Sequence, residues 1–297
     1  MEPLIIEAAL NGASTKRRNP NVPISAEEIA TEAIACLDAG AAIIHNHTDD
    51  EVLGGDVRHS SAKYLDAWAP VQARYPEAIL YPTMAGGAAT TVRIEDRYQH
   101  LVELHEAGML GMGVADAGSV NLAGIKADGS ISSPAWCYEN TPADIAWMFA
   151  WNAERDLPTM VSIFEPGFLR MALAHHERGT LPAATKIQLY LTGPKTLTGL
   201  PAEPWALDVY LRLLEGSELT WMVSAIGGDT VGSGLARAAI ERGGHVRVGL
   251  EDYTDTTSAR RKPTNAELVA EVVALAAQCG RPVASPAEAK QILHHRT

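Results

Sequence analysis

Eight short apolar runs, each followed by a longer amphipathic stretch, recur along the whole chain, and this alternation restricts the fold more than any other feature. The runs are Leu4–Leu10, Ala41–Thr48, Ala78–Thr83, Met109–Asp116, Thr159–Glu165, Lys186–Thr192, Leu219–Ile226 and His245–Asp252. Several are almost continuously apolar, the pattern of strands buried on both faces. The stretches between them carry helix punctuation. Ser25 stands as N-cap before Glu27 and Glu28, with Glu28 at capping-box spacing, and Asp38-Ala39-Gly40 supplies the stop. Thr141-Pro142-Ala143-Asp144, Thr264-Asn265-Ala266-Glu267 and Ser285-Pro286-Ala287-Glu288 repeat the same start signal.

Eight strand-then-helix units in 297 residues match the requirement of a (β/α)8, or TIM, barrel. The expectation is one α/β barrel domain over residues 1–297, closed by a short C-terminal helical extension from Ser285. A doubly wound open sheet also alternates strand and helix. Its nucleotide-binding forms lose support, because neither G-x-G-x-x-G nor a Walker A motif follows the first strand.

A formal net charge of −12 disfavours nucleic acid and anionic membranes as partners. No apolar run reaches the length of a membrane span, and the acidic start Met1-Glu2-Pro3 lacks a basic leader, so a cytoplasmic location is expected. The 3 cysteines, Cys36, Cys137 and Cys279, are far apart and form neither a CxxC pair nor a disulfide framework.

Chemistry concentrates at strand ends. Within Ile43-Ile44-His45-Asn46-His47-Thr48, the alternation of a strand sends His45 and His47 to one side, at the C-terminal end where barrel active sites lie. Two neutral imidazoles so placed suit Zn²⁺ or a similar ion, and a catalytic zinc usually has a third protein ligand. The last run, His245-Val246-Arg247-Val248-Gly249-Leu250-Glu251-Asp252, turns abruptly acidic at its end, which nominates Glu251 as the third ligand. An Arg247–Glu251 ion pair would also account for that acid. Further candidates for substrate contact follow other strands: Asn11 and Ser14 after the first, Asp49 after the second, and Thr83, Gly86 and Gly87 after the third. Asp116 and Ser119 follow the fourth, and Gly227 and Gly228 the seventh. A glycine pair before a helix matches the usual phosphate-binding place of barrels, and a tight turn explains it equally well. His294 and His295 read as a helix end.

Several segments together resemble the β-keto acid cleavage enzyme family over nearly the whole chain. They are Asn19-Pro20-Asn21-Val22-Pro23, Ala39-Gly40-Ala41-Ala42-Ile43-Ile44-His45-Asn46-His47, Gly243-Gly244-His245-Val246-Arg247-Val248-Gly249-Leu250-Glu251-Asp252, and Arg281-Pro282-Val283-Ala284-Ser285-Pro286. The resemblance implies a Zn²⁺ barrel assembled as a homo-oligomer, dimer or tetramer. Its reaction converts a β-keto acid and acetyl-CoA into acetoacetate and a new acyl-CoA. On this sequence the metal triad falls on His45, His47 and Glu251, and the catalytic residues on Asp252, Arg247 and Thr83. Two positions depart from the pattern. Ser14 stands where members acting on an amino-keto acid carry Glu, and Asp49 where an Arg is usual. Two alternatives stay open: a metal-dependent hydrolase or retro-aldol lyase that does not use CoA, and a barrel that binds metal or metabolite without turnover.

Overall fold

The computed structural model describes residues 2–50, 58–85, 92–132, 134, 137–253 and 262–294. Each expected run holds a parallel strand: β1 (Ile6–Ala9), β2 (Ile43–Asn46), β3 (Ile79–Pro82), β4 (Gly113–Asp116), β5 (Thr159–Ile163), β6 (Thr185–Thr192), β8 (Thr220–Ile226) and β9 (His245–Val248). Their order is β3-β2-β1-β9-β8-β6-β5-β4. The Gly111 N–H donates to the Leu80 carbonyl at 2.9 Å, which brings the approach to β4 back against β3. A Cβ on Gly111 would sit 2.9 Å from the Leu80 nitrogen, so this near-closure depends on the missing side chain. The result is the expected TIM barrel. A two-residue strand, β7 (Leu200–Pro201), pairs with the end of β6 and was not anticipated, being too short to carry a pattern.

Helices surround the strands: α1 (Ala26–Ala39), α2 (Ser61–Arg74), α3 (Ile94–Arg97), α4 (Gln99–Glu106), α5 (Pro142–Ala153), α6 (Pro166–Glu177), α7 (Pro204–Leu214), α8 (Leu235–Glu241), α9 (Asn265–Gln278) and α10 (Pro286–His294). The start signals act as read. Ser25, Thr141 and Thr264 each complete a capping box, with Glu28, Asp144 and Glu267. Ser285 and Glu288 exchange the equivalent bonds. Gly40 ends α1 at φ 115°, a conformation that favours glycine. Arg281 ties the C-terminal segment to the barrel by donating to the carbonyls of Glu2 and Ile240, while Leu4 and Val283 form a parallel bridge.

The barrel interior is not uniformly apolar. Glu7 of β1 lies in register with Arg247 of β9, and Lys186 and Gln188 of β6 are buried with them. Just above this layer the chain makes a sharp turn at Gly249 (φ 154°), where an added Cβ would meet the Ala9 carbonyl oxygen at 1.9 Å. That contact brings the Glu251 N–H to the same carbonyl at 3.2 Å. Replacing Gly249 with Ala is therefore expected to cost at least about 2 kcal/mol. In a thermal melt this appears as a Tm lower by roughly 5 °C or more. An unchanged Tm would mean that the turn carries no such constraint.

Candidate active site

Asn46 explains why two histidines of one strand face inward. Its side chain points outward and accepts from the Trp68 indole N–H of α2 at 2.8 Å, so its neighbours in alternation, His45 and His47, point into the barrel mouth. Asn11 clamps the second of them. Its Oδ1 accepts the His47 N–H at 2.8 Å and its Nδ2 donates to the His47 carbonyl at 3.0 Å. The His45 ring stacks on Tyr81 at 4.5 Å between centroids. Among the described residues the buried Nδ1 atoms of both histidines lack a hydrogen-bond partner, so ring stacking and the backbone clamp hold these rings.

The two Nε2 atoms converge on Glu251, at 3.2 Å from His45 and 3.5 Å from His47. All three ligand atoms lie within 4.8 Å of one another. Ligands about 2.1 Å from a tetrahedral ion stand roughly 3.4 Å apart, so the donor set fits a divalent metal in both spacing and chemistry. Protonation agrees with this. Burial holds His45 below its ordinary pKa, more than the Glu251 carboxylate offsets, and keeps the imidazole neutral. Burial alone would raise Glu251, yet the Arg247 guanidinium above all holds it well below the usual carboxylate range. Gly12 leaves room for this acid, since a Cβ there would fall 2.3 Å from the Glu251 Cγ.

Arg247 joins the His45–His47–Glu251 cluster to the polar layer beneath. It donates to both oxygens of Asp252, at 2.8 and 3.0 Å, and to Glu7 at 3.2 Å, and forms an ion pair with Glu251 at 2.8 Å. Glu7 in turn accepts from Lys186 and from the Tyr81 hydroxyl. Burial would raise the Glu7 pKa, but Lys186 and Arg247 together hold it below the ordinary value. Asp252 goes the other way: burial lifts it above the usual carboxylate value, and Arg247 offsets only part of the rise. Two acids on one guanidinium thus differ in their appetite for a proton.

Beside the cluster opens a cavity of about 290 Å³. Thr83 and Asp116 line it together with the three ligand residues, Arg247 and Asp252; much of the remaining wall is apolar. The other nominated residues that are described do not line this cavity. Ser14 donates to the Leu250 carbonyl at 2.8 Å and borders a separate hollow with Asn11 and Asp49. Asp49 pairs with Lys63 at the surface. Ser119 bonds the Asn140 backbone. The Gly227 N–H donates to the Asp252 carbonyl at 2.7 Å, and Gly227 and Gly228 pack against Gly193, so this pair shapes a turn that supports Asp252. Gly86 and Gly87 lie outside the described residues. Sequence reading missed Glu7, Lys186 and Tyr81. The available signal was a charged residue within the apolar run Leu4–Leu10, and another at the start of Lys186–Thr192.

Two stability outcomes follow. Glu7→Gln leaves Lys186 buried against a neutral amide and should destabilise the fold by about 3–5 kcal/mol, while adding Lys186→Met should recover most of the loss. Denaturant unfolding of the single and double variants checks this, and equal stabilities would refute the pairing. His100 donates from Nε2 to the Thr83 carbonyl at 2.8 Å, and burial first, then the His59 charge, pushes its pKa down to about 3. The unfolded chain therefore binds a proton near pH 6.5 that the native state refuses until about pH 3. Stability should fall between those values by up to about 1.4 kcal/mol per pH unit. His100→Gln should flatten that slope relative to the parent in unfolding titrations.

Comparison with known proteins agrees with the geometry. A profile of the family described as beta-keto acid cleavage enzyme matches residues 3–294. The 3-keto-5-aminohexanoate cleavage enzyme of Acetoanaerobium sticklandii is 32% identical over 296 residues, covering 99% of this chain and 98% of that protein. The 3-oxoadipate:acetyl-CoA acetyltransferase of Cupriavidus necator is 29% identical over 295 residues, covering 98% of this chain and 95% of that one. Among solved structures, a ternary complex of ObcA with a C4-CoA adduct and oxalate superposes with a TM-score of 0.71. Its identity is 17%, over 92% of this chain and 67% of that one, a likeness of fold. With the profile spanning the barrel from β1 to α10, the chain belongs to the β-keto acid cleavage enzyme family.

Proposed function

We propose that the protein binds Zn²⁺ through His45, His47 and Glu251 and exchanges acyl groups between a β-keto acid and acetyl-CoA, giving acetoacetate and a new acyl-CoA. The observation that carries this reading is the convergence of two buried imidazoles and one ionised carboxylate beside a cavity that also contains Asp252. When bound, Zn²⁺ supplies Lewis acidity at the ketone and carboxylate oxygens of the substrate.

The remaining steps belong to this chain's own residues. Asp252, whose burial raises its proton affinity, removes a proton from the carbon between ketone and carboxylate. Arg247 holds Asp252 by two hydrogen bonds and places positive charge where the carbanion develops. The carbanion attacks the acetyl thioester and CoA thiolate leaves. The thiolate then adds to the substrate's original ketone carbon, the bond to the central carbon breaks, and the new acyl-CoA departs. Asp252 returns its proton to the carbon of acetoacetate, so the exchange is balanced with no further reactant. Thr83, at the rim of the same cavity, offers a hydroxyl to the substrate. Supporting the co-substrate is the acetyl-CoA dependence in the name of the Cupriavidus relative. Among the described residues no helix is long and apolar enough to cross a membrane, and a cytoplasmic location goes with this reading. So does a dimer or tetramer, for which α7 exposes Trp205 and Val209 as apolar surface to cover.

The decisive experiment incubates purified, metal-analysed protein with a panel of β-keto acids and measures acetoacetate with and without acetyl-CoA. The expected result is about one zinc per chain, acetoacetate only with acetyl-CoA, and loss on chelation. Glu251→Gln should lower metal affinity at least about tenfold and activity with it. Full metal content and full activity in that variant would defeat the triad assignment. Turnover without acetyl-CoA would replace the exchange with hydrolase or lyase chemistry.

A further inference from the structure

Lys16, Arg17 and Arg18 are three consecutive cations in a chain of formal net charge −12, and the chemistry at the His45–His47–Glu251 cluster uses none of them. They follow the C-terminal end of β1, which places them on the mouth side of the barrel. A short turn holds the segment in place: the Arg18 and Asn19 N–H groups donate to the Thr15 carbonyl at 2.9 and 3.2 Å. Asn19 and Asn21 then fasten this turn to the chain that enters α9. Their side chains donate to the carbonyls of Pro263 and Lys262, each at 2.9 Å. The fastening brings a fourth cation, Lys262, to the same stretch of rim. All four residues are exposed. Lys16 pairs with Glu28, whereas Arg17, Arg18 and Lys262 form no ion pair with a described residue. Glu27 and Glu28 of α1 are the acids nearest in sequence, so the segment and Lys262 together keep a positive surplus.

The same loop connects this rim to the cavity. Ala13 lines the cavity beside the His45–His47–Glu251 cluster and also the hollow formed with Asn11, Gly12, Ser14 and Ile24. Four residues lead from Ala13 to Arg17, at most about 15 Å of chain. Asp49 and Asp50, which border the hollow, are paired with Lys63. A ligand that reacts in the cavity and leaves it over Ala13 therefore arrives at a positively charged rim. In so acidic a protein, a local basic patch favours a polyanion. Acetyl-CoA is far larger than a cavity of about 290 Å³, so its nucleotide end must lie outside. That end has a diphosphate and a 3′-phosphate, and the pantetheine arm separates them from the thioester by enough to reach the rim. Arginine suits phosphate because its planar fork makes two bonds at once. Resting on the exchange proposed above, we infer that Arg17, Arg18 and Lys262 form the subsite for the phosphates of acetyl-CoA, with the pantetheine arm running over Ala13 into the cavity. The mouth has a second pair of exposed lysines, Lys126 and Lys195, where β4 and β6 end, but Asp128 shares their hairpin.

The test uses the zinc-loaded full-length protein and reads binding as well as turnover. Calorimetry compares CoA with pantetheine, which has the same thiol and arm but no phosphate. CoA should bind the parent at least about tenfold more tightly. The triple variant Arg17→Ala, Arg18→Ala, Lys262→Ala alters only exposed side chains and keeps the asparagine fastenings. It should lose most of that difference for CoA and leave pantetheine within about twofold of its parent affinity. The double variant Lys126→Ala, Lys195→Ala should leave CoA within about twofold. In turnover, the triple variant should raise KM for acetyl-CoA at least about tenfold, with zinc content unchanged and kcat within about twofold. Equal affinity of the parent for CoA and pantetheine overturns the inference. So does an unchanged CoA affinity in the triple variant, an equal loss for both ligands, or a larger loss in the double variant. Turnover with acetyl-CoA at an unchanged KM in the triple variant removes the phosphate subsite and leaves the exchange reaction standing. Weakened CoA binding in that variant, with no turnover of any β-keto acid by the parent, supports the subsite and counts against the exchange.

Discussion

Arg247 is a fully buried cation among three carboxylates, and the arrangement of the site depends on it. An isolated charge at this depth would be prohibitive. Here the guanidinium fork meets Asp252 with two parallel bonds and Glu7 with a third, and pairs with Glu251 as an ion pair. Arginine suits this place because its donors are fixed in a plane and its charge persists when buried. Burial would favour the neutral guanidine, yet the surrounding acids, Asp252 foremost, push its pKa still higher than usual. The consequence for chemistry is asymmetry. Glu251 shares the guanidinium with two imidazoles and stays ionised as a metal ligand should, whereas Asp252 is left with a raised proton affinity.

This arrangement rests on a second layer that has no direct part in the chemistry. Lys186 neutralises Glu7, and Tyr81 bonds Glu7 while stacking under His45. One residue therefore touches both the ion-pair network and a nominated metal ligand. The backbone contributes as much as the side chains. Gly249 lets the chain pass the Ala9 carbonyl, Gly12 makes room for the Glu251 side chain, and Gly227 supports the Asp252 carbonyl. These glycines matter through close approach, a constraint distinct from ligand binding.

Much of the fold was legible because its signals are local. Apolar runs bounded by turn residues, and Ser or Thr followed three residues later by an acid, report on strands and helix starts within a few positions. Each of the eight runs holds a barrel strand, and four capping boxes form where the spacing placed them. The boundaries were less legible. Met109–Asp116 becomes a strand only from Gly113, since apolar content does not show where ladder pairing begins. At the site, His45 and His47 could be paired by strand alternation alone. Asn11 and Ser14 were singled out by position after a strand, but their bonds to His47 and Leu250 make them supports.

What the sequence determined by itself was the alternating strand–helix order, the shared direction of the two histidines, and the family to which the chain belongs. These are encoded in residue types at short, fixed spacings. Only the tertiary structure decided which distant residues meet. Glu7 and Lys186 are 179 positions apart and Glu7 and Arg247 are 240 apart, yet all three lie in one buried layer. Asp116 was one polar strand end among several until closure of the barrel set it across the mouth from Glu251. Closure converts positions on eight separate strands into a single ring, and no local pattern carries the information of what stands opposite.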